Sequence, residues 1–112
     1  VIDMNGDDRT GASGGAVRHV VMFRWRDGVT DADVEALRTA LSALPAAVGT
    51  IVAYDFGADL GINEGNADFV VVADFASRED YLVYRDHPEH RRVIAELILP
   101  VVTDRVAVQV AL

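Results

Sequence analysis

The chain has 112 residues, ten basic side chains against eighteen acidic ones, and a formal net charge of −8. It has no cysteine, and all ten basic residues are arginine. Disulfides, thiol nucleophiles, Cys-ligated metals and lysine Schiff bases are therefore excluded, which leaves three histidines, three tyrosines, hydroxyls and carboxylates for any proton chemistry.

Residues 1–16 are rich in Gly, Asp and Ser without a sustained period and read as a flexible leader. Residues 17–112 read as one domain, a length that can bury its own core. Val17 to Arg26 is β-branched and aromatic and predicts a strand, ended by Asp27-Gly28. Thr30 offers a helix N-cap with Asp31 and Asp33 in the first turn; Val34, Leu37, Leu41 and Leu44 recur at helical spacing, and Pro45 is expected to stop the run. Thr50 to Phe56 predicts a second strand, residues 57–66 a loop, and Asp68 to Phe75 a third strand. Ser77 with Asp80 opens a short helix through Tyr81, Leu82 and Tyr84. His87-Pro88 restarts the chain, so a further helix should run from Pro88 to about Leu99, with Leu97, Ile98 and Leu99 against the sheet. Pro100 ends it, and residues 105–110 predict the last strand. The order β-α-β-β-α-α-β is the split βαβ pattern of an α+β, ferredoxin-like fold with a four-stranded antiparallel sheet, its second helix broken in two.

A sheet covered by helices on one side should alternate apolar and polar residues. Here His19, Val21, Phe23 and Trp25 line one face of the first strand, yet Val20 and Met22 make the other face apolar too, and the third strand runs Val70-Val71-Val72-Ala73. The chain lacks the residues for another layer, so a second copy of the sheet is the economical cover, and a homodimer is expected.

The strings Arg18-His19-Val20-Val21-Met22-Phe23, Asp27-Gly28, Leu44-Pro45 and above all Tyr84-Arg85-Asp86-His87-Pro88-Glu89-His90 resemble the stress-responsive A/B barrel family over about Val17 to Leu112. The resemblance implies a ferredoxin-like monomer whose sheet packs on that of a partner to close a dimeric α+β barrel. One branch of the family, the plant polyketide cyclases that form olivetolic acid, performs an aldol cyclisation with a Tyr and a His and no cofactor. Its catalytic tyrosine falls at Tyr84 and its catalytic histidine at His90. One of its pocket histidines matches His19, another falls at Phe69, and Gln109 stands where many relatives have Asp. The resemblance thus implies a pocket lined by His19, Val21, Phe23, Phe69, Val71, His87 and Val93.

The residues themselves permit the same chemistry. His90 stands near the start of the helix opened by Pro88, where the helix dipole disfavours imidazolium and keeps the ring able to accept a proton. Tyr84 can hydrogen-bond a carbonyl or enolate, or hold the imidazole in one tautomer. The expected function is binding of a small apolar or polyketide-like molecule with cofactor-free cyclisation or proton transfer by His90 and Tyr84. The alternative is a non-enzymatic stress-associated structural or ligand-binding dimer, in which His87 is an N-cap, His90 a packed helix residue and Tyr84 a core aromatic. A metal on His19, His87 and His90 competes with the capping role of His87, and no metal is assigned. Trp25 raises the haem-degrading and monooxygenase relatives of the barrel superfamily by fold analogy, against ordinary strand-end packing. Arg91-Arg92 should pair with carboxylates on the helix surface. No phosphate-binding fingerprint is present. The acidic balance argues against nucleic acid or an anionic membrane as partner. No apolar run nears the roughly 20 residues of a membrane span, and the polar start lacks the pattern of a secretory signal, so a cytoplasmic location is the expectation.

Overall fold

The computed structural model describes residues 15–112; most of the expected leader, residues 1–14, lies outside them. The elements follow the order β1 (Val17–Trp25), α1 (Asp31–Ala47), β2 (Ile51–Ala58), β3 (Phe69–Phe75), α2 (Arg78–Asp86), α3 (Pro88–Val93), a π-helical turn (Ile94–Ile98) and β4 (Val102–Ala111). The four strands form one antiparallel sheet in the order β2-β3-β1-β4, the arrangement of a ferredoxin-like α+β fold.

Local chemistry starts each helix as the sequence suggests. Thr30 and Asp33 form a reciprocal capping box, with the Asp33 N–H donating to Thr30 Oγ1 at 3.2 Å and the Thr30 N–H donating to Asp33 Oδ2 at 3.0 Å. The Asp80 N–H donates to Ser77 Oγ at 3.1 Å, and Nδ1 of His87 accepts from the Glu89 N–H at 3.1 Å with Pro88 in the first helical turn. Leu37, Leu41 and Leu44 bury one stripe of α1 against Phe23, Phe69, Val71 and Phe75 of the sheet.

Strand β2 runs two residues past the expected Phe56, to Ala58, and three further boundaries differ from expectation in ways that shape the core. Pro45 does not stop α1, which continues to Ala47. A proline interrupts a helix by losing an N–H bond and crowding the preceding turn. Here the Val48 N–H closes on the Leu44 carbonyl at 2.8 Å, and burial of Leu41, Leu44 and Val48 holds that last turn in place. The helix expected from Pro88 to about Leu99 stays α-helical only to Val93 and then widens, with the Leu99 N–H reaching back to the Ile94 carbonyl at 2.9 Å. The wider turn puts Val93 and Ile98, five residues apart, both in the core and leaves Leu99 exposed rather than on the sheet. Strand β4 begins at Val102, three residues earlier than expected, because it pairs with the whole of β1 through a register shift at Arg24 and Trp25.

The two faces of the sheet are unlike. On the helix-covered face Val17, His19, Val21 and Phe23 are buried, as are Phe69, Val71, Ala73 and Phe75. The opposite face carries Val20, Met22, Val70, Val72, Val106, Val108 and Val110 side by side, as the register requires. Nothing in the described residues covers them, and Val106, Val108 and Val110 are half exposed. Among the described residues, no helix is long and apolar enough to cross a membrane.

Candidate functional site

Strand register lays the floor of the site in rungs. Tyr54, Ala73, His19 and Gln109 are successive partners across the four strands, the next rung is Phe56, Val71, Val21 and Ala107, and the next is Ala58, Phe69, Phe23 and Arg105. The helices cover Ala73 completely but leave space above the small side chain of Ala107. A cavity of about 270 Å³ remains, floored by His19, Val21, Phe23, Val71 and Ala107 and roofed by Tyr81, Tyr84, Arg85, His90, Ile94 and Ile98. Leu41, Tyr54 and Arg105 complete its wall. It is slightly smaller than the roughly 300–1,000 Å³ of pockets for drug-sized ligands, and so suits a small molecule.

The break at His87-Pro88 folds α3 back so that His90 meets Tyr84, six residues earlier. Their rings stack with centroids 4.0 Å apart. Nδ1 of His90 lies 3.1 Å from the Arg85 carbonyl oxygen. A carbonyl can only accept, so Nδ1 carries the hydrogen and Nε2 of the neutral ring holds the lone pair. Burial lowers the His90 pKa below its ordinary value; hydrogen bonds to the Arg85 and Tyr84 backbone oppose this, and the positive charge of Arg105 adds to it. The ring is thus kept neutral mainly by desolvation, where the sequence suggested the helix dipole; α3 is a six-residue helix.

Tyr84 is buried, and its hydroxyl lies 3.1 Å from that of Tyr54. Burial pushes the Tyr54 phenol up to about 12 and that of Tyr84 higher still, so both stay protonated. One hydroxyl hydrogen is used between the two oxygens and the other is free to donate. His19, the one polar residue in the buried floor, packs beside Tyr81 and Tyr84 at centroid distances of 5.1 and 6.0 Å. Nε2 of Gln109 lies 2.9 Å from its Nδ1. With the amide donating, Nδ1 accepts and Nε2–H remains a donor. Burial, reinforced by His90, lowers the His19 pKa to about 4, which makes it neutral across the physiological range. The site therefore combines one imidazole lone pair, at His90, with hydrogen donors from His19 and a tyrosine.

These residues belong to a chain that matches the family profile described as Stress Responsive A/B Barrel Domain over residues 17–111. The chain belongs to that family. A dimeric ferredoxin-like protein of unknown function from Thermobifida fusca is 52% identical, with 88% of this chain and 92% of that one covered and a TM-score of 0.82. A dimeric protein of unknown function from Bacteroides fragilis with a ferredoxin-like fold is 25% identical, covers 88% and 97% of the two chains, and has a TM-score of 0.75. Hydroxynitrile lyase from Passiflora edulis, 17% identical, matches over 88% of this chain and 94% of its own with a TM-score of 0.79, a likeness of fold alone. No match is found among curated proteins.

In this stress-responsive A/B barrel domain, six of the nine residues expected at the site line the cavity: Tyr84, His90, His19, Val21, Phe23 and Val71. Phe69 and Val93 are buried core residues outside its wall. His87 is also outside it, because its ring nitrogen turns to the Glu89 N–H as the cap of α3. Trp25 packs at the strand end against Phe69 and Phe23, with centroids 5.6 and 6.2 Å away. Arg92 bridges Glu89 and Glu96 at 3.2 Å each, as expected of a helix surface. Among the described residues no group of three or more His, Asp or Glu is placed to hold a metal ion. Tyr54, Tyr81 and Arg105 also line the cavity, though the sequence alone does not place them there. Tyr81 was signalled by its position one helical turn before Tyr84; Tyr54 and Arg105 emerge only from strand register.

Proposed function

We propose that this domain binds a small carbonyl compound in the cavity and moves a proton from the carbon next to the carbonyl, without a cofactor, with His90 as the base. The observation that carries this reading is the stack of His90 on Tyr84 inside the cavity, with Nδ1 committed to the Arg85 carbonyl and the lone pair left on Nε2. The C–H proton passes to Nε2, and the electron pair of that bond moves through the new C=C to leave negative charge on the carbonyl oxygen. The free tyrosine hydroxyl hydrogen and His19 Nε2–H are the donors for this enolate. Return of the proton to carbon completes an isomerisation or exchange. Alternatively the enolate carbon attacks a second carbonyl of the same molecule, and the imidazolium protonates the resulting alkoxide, which closes a ring with no net loss of atoms. Polyketide-like chains have the alternating carbonyls this second course requires. We further propose a homodimer joined through the open valine face, supported by the dimeric state of the Thermobifida fusca and Bacteroides fragilis proteins.

The test is exchange of the α-protons of 5-oxohexanoate into D2O, followed by proton NMR. Exchange should exceed that in buffer, and His90→Gln should remove about 10²- to 10⁴-fold of the acceleration, the usual contribution of a general base. Equal acceleration by the variant overturns the role of His90. Binding without acceleration favours the non-enzymatic, ligand-binding reading, to which the mutual engagement of the Tyr54 and Tyr84 hydroxyls lends support.

A further inference from the structure

The protein carries a net charge of −8, yet not one Asp or Glu lines its cavity. Two arginines do. Arg85 is already neutralised, its guanidinium donating to both carboxylate oxygens of Asp86 at 2.9 and 3.2 Å. Arg105 is different: among the described residues no carboxylate lies within 4 Å of it. It is solvent-exposed, and its place on the rung of Phe23 puts it on the helix-side face of the sheet, away from the valine face. Its neighbour Asp104, which faces the other way, is the partner of Arg24.

The register also fixes where Arg105 stands relative to the polar groups of the site. His19 pairs with Gln109 and Phe23 with Arg105, so four residues of strand, about 13 Å at roughly 3.3 Å per residue, separate the imidazole end of the floor from the guanidinium end. Between them the floor is Val21 and Ala107, apolar and small. A ligand lying along this floor meets His19 and the tyrosines at one end, aliphatic wall in the middle and, at the other, a guanidinium with no carboxylate partner among the described residues.

We infer that the cavity is selective for a small molecule with a carboxylate at the end remote from its reacting carbonyl, and that Arg105 binds that carboxylate. The inference rests on the proposed use of the cavity for a carbonyl ligand and specifies its class. A guanidinium presents paired N–H donors matched to the two oxygens of a carboxylate, and one such group balances one negative charge, whereas a phosphate monoester would bring nearly two. The reading also gives the cationic rim a use that its effect on His90 alone does not. An anion on Arg105 offsets the positive charge felt by the imidazole.

Calorimetric titration of the full chain with 5-oxohexanoate and with its neutral amide, 5-oxohexanamide, tests the inference. The wild-type protein should bind the carboxylate at least about tenfold more tightly, the scale of a charge-assisted hydrogen-bonded pair. Arg105→Leu should abolish the preference while retaining affinity for the amide, and Arg105→Lys should restore part of it. Equal binding of the two ligands by the wild-type protein, a preference that survives Arg105→Leu, or no binding of either ligand overturns the inference. So does a weakened dimer with unchanged ligand preference in Arg105→Leu, which would make Arg105 an interface residue. Proton exchange is a separate readout. Carboxylate selectivity without exchange removes the proposed chemistry and leaves the inference standing, and exchange without selectivity does the reverse.

Discussion

The two faces of one sheet divide the labour of this molecule, and a shift of a single residue along β1 crosses from one to the other. His19, Val21 and Phe23 face the helices, where they meet tyrosines, a second histidine and an incompletely filled space. Val20 and Met22 face the other way, into a plain of valines from β3 and β4. The covered face keeps polar groups by pairing them, His19 with Gln109 and Tyr84 with Tyr54, which leaves only a few donors and one imidazole lone pair, that of His90, free. The open face has few polar groups: its charged residues lie at its margins, where Arg18 meets Asp74 at 2.9 Å, Arg24 approaches Asp104 at 3.9 Å and Asp55 stands beside Val72 on the edge strand β2. One face is suited to selecting a ligand, the other to burying area.

The hardest blow to this division is a charge in the middle of the valine plain. Val108 is exposed in the single chain, so Val108→Asp should leave the fold intact. In the proposed dimer each copy loses a buried valine, about 1.5–3 kcal/mol, and gains a desolvated carboxylate, so the dimer dissociation constant should rise by at least about 100-fold. Sedimentation velocity across a dilution series would detect it. An unchanged dimer would place the interface elsewhere and leave the valine face without a purpose.

Acid should act first on the covered face, because the carboxylates held down by arginines elsewhere, Asp74 by Arg18 and Asp86 by Arg85, give up their charge only at still lower pH. The His19 pKa is depressed to about 4 in the fold against an ordinary 6.5, so as pH falls below about 6.5 the unfolded chain takes up a proton that the native chain refuses. Stability is therefore independent of this group above pH 6.5, declines from there to about pH 4 by at most about 1.4 kcal/mol per unit, and levels off below. His90, whose pKa is also lowered, adds a decline of the same sign. Urea unfolding of the wild type and of His19→Gln between pH 7.5 and 4 should give a shallower slope for the variant. Parallel slopes would mean that His19 is not held neutral by burial.

Much of this was legible in the sequence because local chemistry and tertiary structure agree. Thr30, Ser77 and Pro88 start helices by capping and by proline's fixed dihedral, and each does so here. The two-sided apolarity of β1 and β3 foretold a face that the described residues leave bare. What was not legible depends on alignment between distant segments. Tyr54 and Arg105 enter the site through the register of β2 and β4, strands far apart in the chain, and neither strand's own pattern sets that register. His87 and His90 show the local limit. They stand three residues apart in one motif, yet the ring of one folds onto its own helix start while the other stacks on Tyr84. Pro45 and the π-helical turn differ from expectation for a related reason, since burial of Val48 in one case and of Ile98 in the other outweighs a local preference.

A finer cut separates packing from chemistry within the covered face. Tyr84 fills core volume, stacks on His90 and bonds to Tyr54, and Tyr84→Phe removes only the last of these. The hydroxyl of Tyr54, mostly shielded from water, would lose its partner, at a cost of about 1–2 kcal/mol in chemical denaturation. Tyr54→Phe should cost a similar amount, and the double variant less than the sum, since replacing both hydroxyls leaves neither unsatisfied. The two single variants should nevertheless diverge in exchange of the 5-oxohexanoate α-protons. Tyr84→Phe keeps the aromatic ring stacked on the imidazole, so His90 retains its position and its lone pair. A loss of exchange in that variant that Tyr54→Phe does not reproduce would identify the Tyr84 hydroxyl as the donor to the enolate oxygen. Equal losses would make the pair a single donor relay. No loss in either would return both hydroxyls to the core and leave His19 as the donor.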